Sequence, residues 1–390
     1  MPKNYIHSTI ASTFAWAGNI YDLLLLTYVY SYLERVYGLD FFGYTVLFAL
    51  GLIGRVIGGS YFGNVADRIG RKPVLIIGTA GYSLFQLLLA FAPDVEVLYV
   101  SRLLEGIFMG AQWTAGTVLA YESAPYNMKG IVTGIVQAGY GIGYALTGVS
   151  YIFLGGDPRL LLLTGSLPLI LVPYMKFIAE ERVSSHTAHF SIRIKDYLPV
   201  LIRATAGMIG MFLAYFAVFG YYTVIADEYL HLNPDTLGIL MTVANIGLAI
   251  SFILFSRLAD RFDKKKLIYI GVIGLLISLP LAVPFLYVPI IIPMIGVILY
   301  AFSTGFWPLM PLLLADAVPT DLRGFLSGFA YNIGGMVGGI GNIILGFIGE
   351  YFGVEGLVKG IDIVGLFSIA VVFVSIITWP KSKGHVILIE

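Results

Sequence analysis

The sequence contains no cysteine. That excludes disulfide staples and thiolate metal sites, and it leaves the redox compartment unread. Charge is scarce: Asp, Glu, Lys and Arg make up 12% of the chain, against about 25% in a soluble domain. The formal net charge is zero, so no general attraction to nucleic acid is expected. All five histidines (His7, His186, His189, His231, His385) are expected in loops or tails, which argues against a buried metal or imidazole relay. No Walker loop is present, so ATP is not the expected energy source. No nucleophile, base and metal converge as an enzyme would require. Period-two alternation is missing as well, which speaks against a lipid-facing β-barrel.

What the chain has is apolar length. Hydrophobic residues make up 58% of its 390 positions, and the mean hydropathy is +0.88. They come in blocks of about 20, the length that crosses ~30 Å of hydrocarbon. Twelve spans are predicted, starting roughly at residues 8, 42, 74, 97, 131, 159, 199, 237, 267, 290, 325 and 360. The expected fold class is therefore an all-α integral membrane protein in a cell membrane, multi-pass, with short loops and no soluble domain. The first apolar run is too long for a signal-peptide core and is read as a retained helix. With the N-terminus inside, 17 of the 23 Lys and Arg fall in cytoplasmic segments. Three fall outside (Arg35, Arg159, Lys359) and three inside spans (Arg55, Arg102, Arg203). That asymmetry puts both termini in the cytoplasm.

The chain repeats itself. "GNVADRIGRK" from residue 63 returns as "SRLADRFDKKK" from 256, and "YESAPYNMKG" from 121 returns as "ADAVPTDLRG" from 315. Asp67 and Asp260 are 193 apart; Glu122 and Asp316, and Trp113 and Trp307, are 194 apart. Two six-helix halves are implied, residues 1–178 and 199–390, joined by a polar cytoplasmic linker at 179–198. Parallel repeats of this kind suggest two bundles rocking around a site near the membrane midplane.

These motifs carry a resemblance. "GNVADRIGRK" resembles the signature loop of the major facilitator superfamily, and "LYVSRLLEGIFMGA" resembles its fourth-span motif, with Glu105 where glutamine is usual. The fifth-span Gly-Pro signature of the antiporters is absent, which favours a symporter or uniporter. "GLIGRVIGGSYFGNVADRIGRK", "GAQWTAGTVLAYESAPYNMKG" and "DLRGFLSGFAYNIGG" are similar to the metabolite:proton symporters, including the sialate and lactate branch. In that group's first-span pattern Asn19 replaces one aspartate and Asp22 keeps the other; Gln112 and Gly335 stand where Glu and Arg are common. The resemblance implies that Asp67, Arg68, Arg71, Glu122, Asp260, Arg261 and Asp316 form a cytoplasmic gate.

Charges inside spans are costly, about 2.5–3.5 kcal/mol each at the centre. Arg55, Arg203 and Asp362 are read as near span ends, where they reach water. Asp22, Arg102 and Glu105 lie deeper and are expected to couple protons. In the expected cycle Asp22 pairs with Arg102 until a proton neutralises it. A substrate carboxylate then takes its place on Arg102, because a lone buried cation is unstable. Softer substrate contacts are expected from Asn19, Tyr21, Gln112, Gln137, Tyr140, Asn245, Tyr300, Trp307, Tyr331 and Asn332. Positions 194 beyond Asp22 and Arg102 are Phe216 and Gly296, so proton handling is assigned to the first half. Pro308 and Pro311 are expected to bend the tenth span.

The function expected is proton-coupled symport of a monocarboxylate such as lactate or pyruvate, by a monomer with no cofactor beyond the proton gradient. The alternatives are a symporter or facilitator of a neutral sugar or polyol, an efflux carrier, and a non-transporting sensor on the same scaffold.

Overall fold

Three helices start on an aspartate. Asp94, Asp157 and Asp263 accept hydrogen bonds from the backbone N–H groups of Val97 (2.8 Å), Leu160 (3.0 Å) and Lys266 (2.9 Å). Each satisfies a donor that the first turn would leave open. The computed structural model describes residues 4–39, 41–177, 190–222, 225–232, 234–284 and 288–380. Every regular element in them is helical. In chain order these are α1 (Asn4–Tyr28), α2 (Tyr30–Tyr37), α3 (Phe41–Ile69), α4 (Arg71–Ala90), α5 (Val95–Ser123), α6 (Lys129–Leu154), α7 (Pro158–Thr164), α8 (Leu171–Phe177), α9 (Phe190–Phe219), α10 (Pro234–Ala259), α11 (Lys264–Ala282), α12 (Ile291–Ser303), α13 (Leu309–Ala317) and α14 (Thr320–Ile377).

Several connections are tight. Gly70 joins α3 to α4 at φ 105°, and Gly353 sits at φ 68° and ψ −174° inside α14, dividing it in two. Only glycine takes such angles cheaply. The bend expected at the prolines is found just ahead of them. A 3₁₀ turn at Thr304–Phe306 separates α12 from α13, and Pro308 caps α13. A similar turn at Leu167–Ile170 separates α7 from α8.

Among the described residues, eight helical stretches are long and apolar enough to cross a membrane: Val46–Ile69, Arg71–Ala90, Pro158–Phe177, Lys195–Phe219, Ile239–Ala259, Lys264–Ala282, Ile291–Ala317 and Leu322–Ile377. The long helices outside that set, α1, α5 and α6, carry Asn19, Asp22, Arg102, Glu105, Gln112 and Gln137. Polar residues lower their apolar character, and all six are buried inside the protein rather than turned to lipid. His7 is not in a loop: it lies in α1, with Nδ1 3.0 Å from the Tyr174 hydroxyl. The other expected tail residues His186, His189, Arg182, Lys381, Lys383 and His385 lie outside the described residues.

Packing is close where glycines face backbone. Within the first half, a Cβ added at Gly58 of α3 would run into the Ile107 carbonyl of α5. Between the halves, Gly63 of α3 would meet the carbonyl of Gly324 in α14. Small residues allow such approaches, which dispersion and packing then reward. Gly58→Val should therefore cost about 1–3 kcal/mol of stability through overpacking. Gly247 of α10 has open space around it, so Gly247→Ala should be neutral or stabilising. Thermal midpoints in detergent check both.

Candidate functional site

One group of polar side chains is enclosed within the first half. Asp22 of α1 and Arg102 and Glu105 of α5 are each 0% exposed. Positions 102 and 105 share a helix face, and Arg102 donates to Glu105 Oε1 at 2.9 Å. The expected pair of Asp22 with Arg102 is not formed. Neither carboxyl oxygen of Asp22 meets a donor, nor does Glu105 Oε2, and Arg102 Nε and Nη2 meet no acceptor. Asp22 and Glu105 lie within hydrogen-bonding reach of each other, a contact that only a proton held between the two carboxyls completes. Asp22 remains close enough to Glu105 and Arg102 to interact electrostatically with both. The reason for the difference is proximity along the chain: Glu105 meets Arg102 from the same helix, whereas Asp22 must reach across from α1. Asp22 Oδ1 lies against the backbone of Gly165, next to Gln86, at the end of α7. Gln86 donates to the Leu162 carbonyl at 2.8 Å, which ties α4 to the broken α7–α8 segment.

The softer candidates divide. Asn19 Nδ2 donates to the Met109 carbonyl (2.9 Å) and to Gln112 Oε1 (2.7 Å), so this pair binds α1 to α5. The Tyr21 hydroxyl meets Thr164 Oγ1, Tyr300 donates to the Ala214 carbonyl at 2.7 Å, and Asn245 and Asn332 bond back to Met241 and Gly328 on their own helices. By contrast, Gln137, Tyr140, Trp307 and Tyr331 meet at the boundary of the halves. Gln137 Nε2 donates to the Tyr331 hydroxyl at 3.1 Å. Tyr331 stacks on Trp113 with centroids 3.5 Å apart and 16° between planes. Trp16 packs near Trp113, Tyr140 and Tyr331 at 6.0–6.3 Å. Tyr140 in turn reaches Trp307 and Tyr215 of the second half at 6.3 and 5.8 Å.

Three expected end-of-span charges behave differently. Arg203 is half-buried and bonds the carbonyls of Pro199 and Thr378 (both 3.2 Å). Arg55 instead occupies the middle of the 29-residue α3 and is 6% exposed. Its guanidinium lies 5.3 Å from the centroid of the Trp16 ring. The signal was available: a residue 13 positions into a span that starts at 42 is near its midpoint. Asp362 is 2% exposed with both oxygens unbonded, so it too is enclosed rather than wet.

The signature loops form two matching clasps at one end of the bundle. Asp67 of α3 accepts from the backbone N–H groups of Gly324 and Phe325 in the opening turns of α14, both at 3.0 Å. Asp260 accepts from those of Gly130 (2.6 Å) and Ile131 (3.0 Å) in the first turn of α6. The receivers are 194 positions apart. Carboxylates suit these positions because helix starts carry partial positive charge. Arg71 holds Asp67 at 2.7 Å and Glu122 at 3.2 Å, and donates to the Thr320 carbonyl at 2.7 Å. Asp316 accepts from Tyr121 (2.5 Å) and pairs with Lys264 (3.0 Å). Arg68 and Arg261 are exposed. Sequence reasoning missed Arg323, which bonds Glu122 at 2.8 Å and lies 5.1 Å over the Tyr121 ring. Its repeat mate Lys129, 194 positions earlier, lies 4.2 Å over the same ring; the repeat offset could have shown this.

Comparison with known proteins adds four findings. A profile described as Major Facilitator Superfamily matches residues 9–203 and 207–386. The sialic acid transporter NanX of Escherichia coli (strain K12) is 26% identical over 376 residues, covering 92% of this chain and 90% of that protein. A probable 4-methylmuconolactone transporter of Cupriavidus pinatubonensis is 22% identical over 388 residues, covering 95% and 89%. A solved structure of the proton:xylose symporter XylE superposes with a TM-score of 0.77 at 16% identity, covering 97% of each chain; that likeness concerns the fold.

The clasps generate a prediction. Asp67→Asn removes a charge from two backbone bonds and an ion pair, a loss of about 2–4 kcal/mol. Spin labels on cysteines at exposed Tyr126 and Phe262, in a chain otherwise free of cysteine, should then show a new, longer distance population. Double electron–electron resonance spectroscopy reads this directly.

Proposed function

The chain belongs to the Major Facilitator Superfamily and is a multi-pass membrane transporter, not an enzyme; on that premise we propose that it carries a small organic anion together with a proton. A monocarboxylate is the simplest cargo; lactate and pyruvate are the members of that class expected from sequence. The single observation behind this reading is Asp22, enclosed with no donor to either oxygen and set against Glu105 of the Arg102–Glu105 pair. An ionised carboxylate in that position, without a hydrogen bond, is expensive. A protonated one is not. Asp22 is thus the proton carrier, and Glu105 is the resident partner that keeps Arg102 neutralised while Asp22 holds its proton. When Asp22 loses the proton, it and Glu105 compete for one cation. That imbalance is relieved by taking up a proton again or by rearranging the helices, which is how a buried charge drives alternating access.

This differs from the cycle expected from sequence. Arg102 does not need a substrate carboxylate when Asp22 is neutral, because Glu105 already answers its charge.

In this proposal the chain makes twelve crossings of the cell membrane with both termini cytoplasmic. Residues 1–178 and 199–390 act as the two rocking halves. Residues 179–198 link them, and α9 takes up the last of those positions from Phe190. The clasps of Asp67 and Asp260 then hold the cytoplasmic end shut while the opposite end admits cargo. Each monomer works alone, with the proton gradient as its energy source and no cofactor. Relatives named for sialic acid support an organic acid as cargo.

Two substitutions test the coupling in proteoliposomes. Asp22→Asn should abolish accumulation against a gradient when the outside is acid, yet preserve exchange of labelled substrate. Arg102→Gln should abolish both, because Glu105 is then left without a cation. Uphill accumulation by the Asp22→Asn protein would refute the proton role.

A further inference from the structure

Arg102 is answered by Glu105, but a second buried cation is not. Arg55 has no carboxylate within ion-pair distance among the described residues; its neighbour is the face of Trp16 at 5.3 Å. A cation–π contact with an aromatic face contributes about 0.5–2 kcal/mol, less than the cost of enclosing a guanidinium. An arginine at the middle of α3 therefore has a place for an anion that the protein itself does not supply.

The surroundings define that anion further. Arg55 is close enough to Tyr140 and Tyr331 to interact with them electrostatically, so it borders the aromatic group at the boundary of the halves. Trp113 belongs to α5 and Tyr331 to α14, and their stacked rings are the closest aromatic contact across that boundary. The indole N–H groups of Trp16 and Trp113 are buried with no acceptor. The region thus offers a fork of guanidinium donors, two unused N–H donors and flat aromatic surface. A guanidinium matches a carboxylate in two parallel bonds. Aromatic walls favour a flat partner by stacking, and a tetrahedral carbon beside the carboxylate would keep a ligand off them.

We propose that Arg55 is the residue that receives the substrate's carboxylate, and that the cluster of Trp16, Trp113, Tyr140 and Tyr331 selects a flat, conjugated or aromatic acid over a saturated one. Arg102 and Glu105 then serve the proton alone, and cargo and proton bind at separate places in the first half. When the halves part, the Trp113–Tyr331 stack opens, and the ligand's ring replaces one aromatic neighbour of each. This rests on the reading of the protein as an organic-anion carrier.

The test uses the full-length protein in detergent, with benzoate, cyclohexanecarboxylate and lactate as probes and tryptophan fluorescence as the signal. Wild type should bind benzoate more tightly than either saturated acid. Arg55→Gln should weaken benzoate at least about tenfold, the loss of one charge-assisted pair, with Arg55→Lys intermediate because it keeps charge but not the fork. Binding of lactate in preference to benzoate, or unchanged benzoate binding by Arg55→Gln, overturns this proposal while leaving organic-anion transport intact. Failure of wild type to bind any of a broad panel of organic acids overturns the transport reading beneath it. Should Arg55→Gln not fold, wild type soaked with 4-bromobenzoate decides: anomalous bromine density beside Trp113 and Tyr331 supports the assignment, and density only elsewhere refutes it.

Discussion

Charge removed from water has to be answered by opposite charge, by a dipole or by a proton, and each solution in this molecule occupies its own place. At the clasp end the answer is a helix start: Asp67 and Asp260 lie on backbone N–H groups of the opposite half. Inside the first bundle it is a salt bridge, Arg102 with Glu105. Asp22 meets another acid, Glu105, and Arg55 has no carboxylate at ion-pair distance among the described residues. In the proposed function the first of these holds a proton and the second awaits an anion. A purely structural role would have paired them with each other or replaced them by apolar residues, which is often the more stable arrangement.

The halves share a frame but not a task. The repeat offset is preserved in the clasps, in the Lys129–Arg323 pair around Tyr121 and in Trp113 and Trp307. The enclosed charges break it. The second half has Phe216 and Gly296 where the first has Asp22 and Arg102. Phe216 lies in the aromatic group with Phe212 and Tyr215. Asp362, an enclosed acid of the second half, is unrelated by the offset to any acid of the first. The repeat is thus kept in the contacts at the clasp end and lost among the enclosed charges.

Much of this could be read from the chain. Apolar blocks of membrane length and a repeat at one offset gave the helical architecture, because both are properties of long stretches. The clasp aspartates were readable because the motif occurs twice. Pairing within the site was harder. Choosing between Asp22 and Glu105 as the partner of Arg102 depends on how α1 approaches α5, and that is set by interhelical bonds such as Asn19 to Gln112, not by residue type. Asn19 and Gln112 themselves looked like substrate contacts because a polar side chain in a span has the same appearance whether it binds cargo or a neighbouring helix. Arg55 was misplaced for a simpler reason: arginine is long enough to reach water from many depths, and that reach outweighed a position already near the middle of its span.

Each clasp has a side chain on one half and main chain on the other. Phe325 and Ile131 offer the same amide whatever residue stands there, proline excepted. Gly324 and Gly130 do not share that freedom: a Cβ at either would lie 2.8 Å from Asp67 Oδ1 or 2.5 Å from Asp260 Oδ1. Selection acting on closure would therefore leave its mark in pairs, an acid on one helix and a bare backbone on the other.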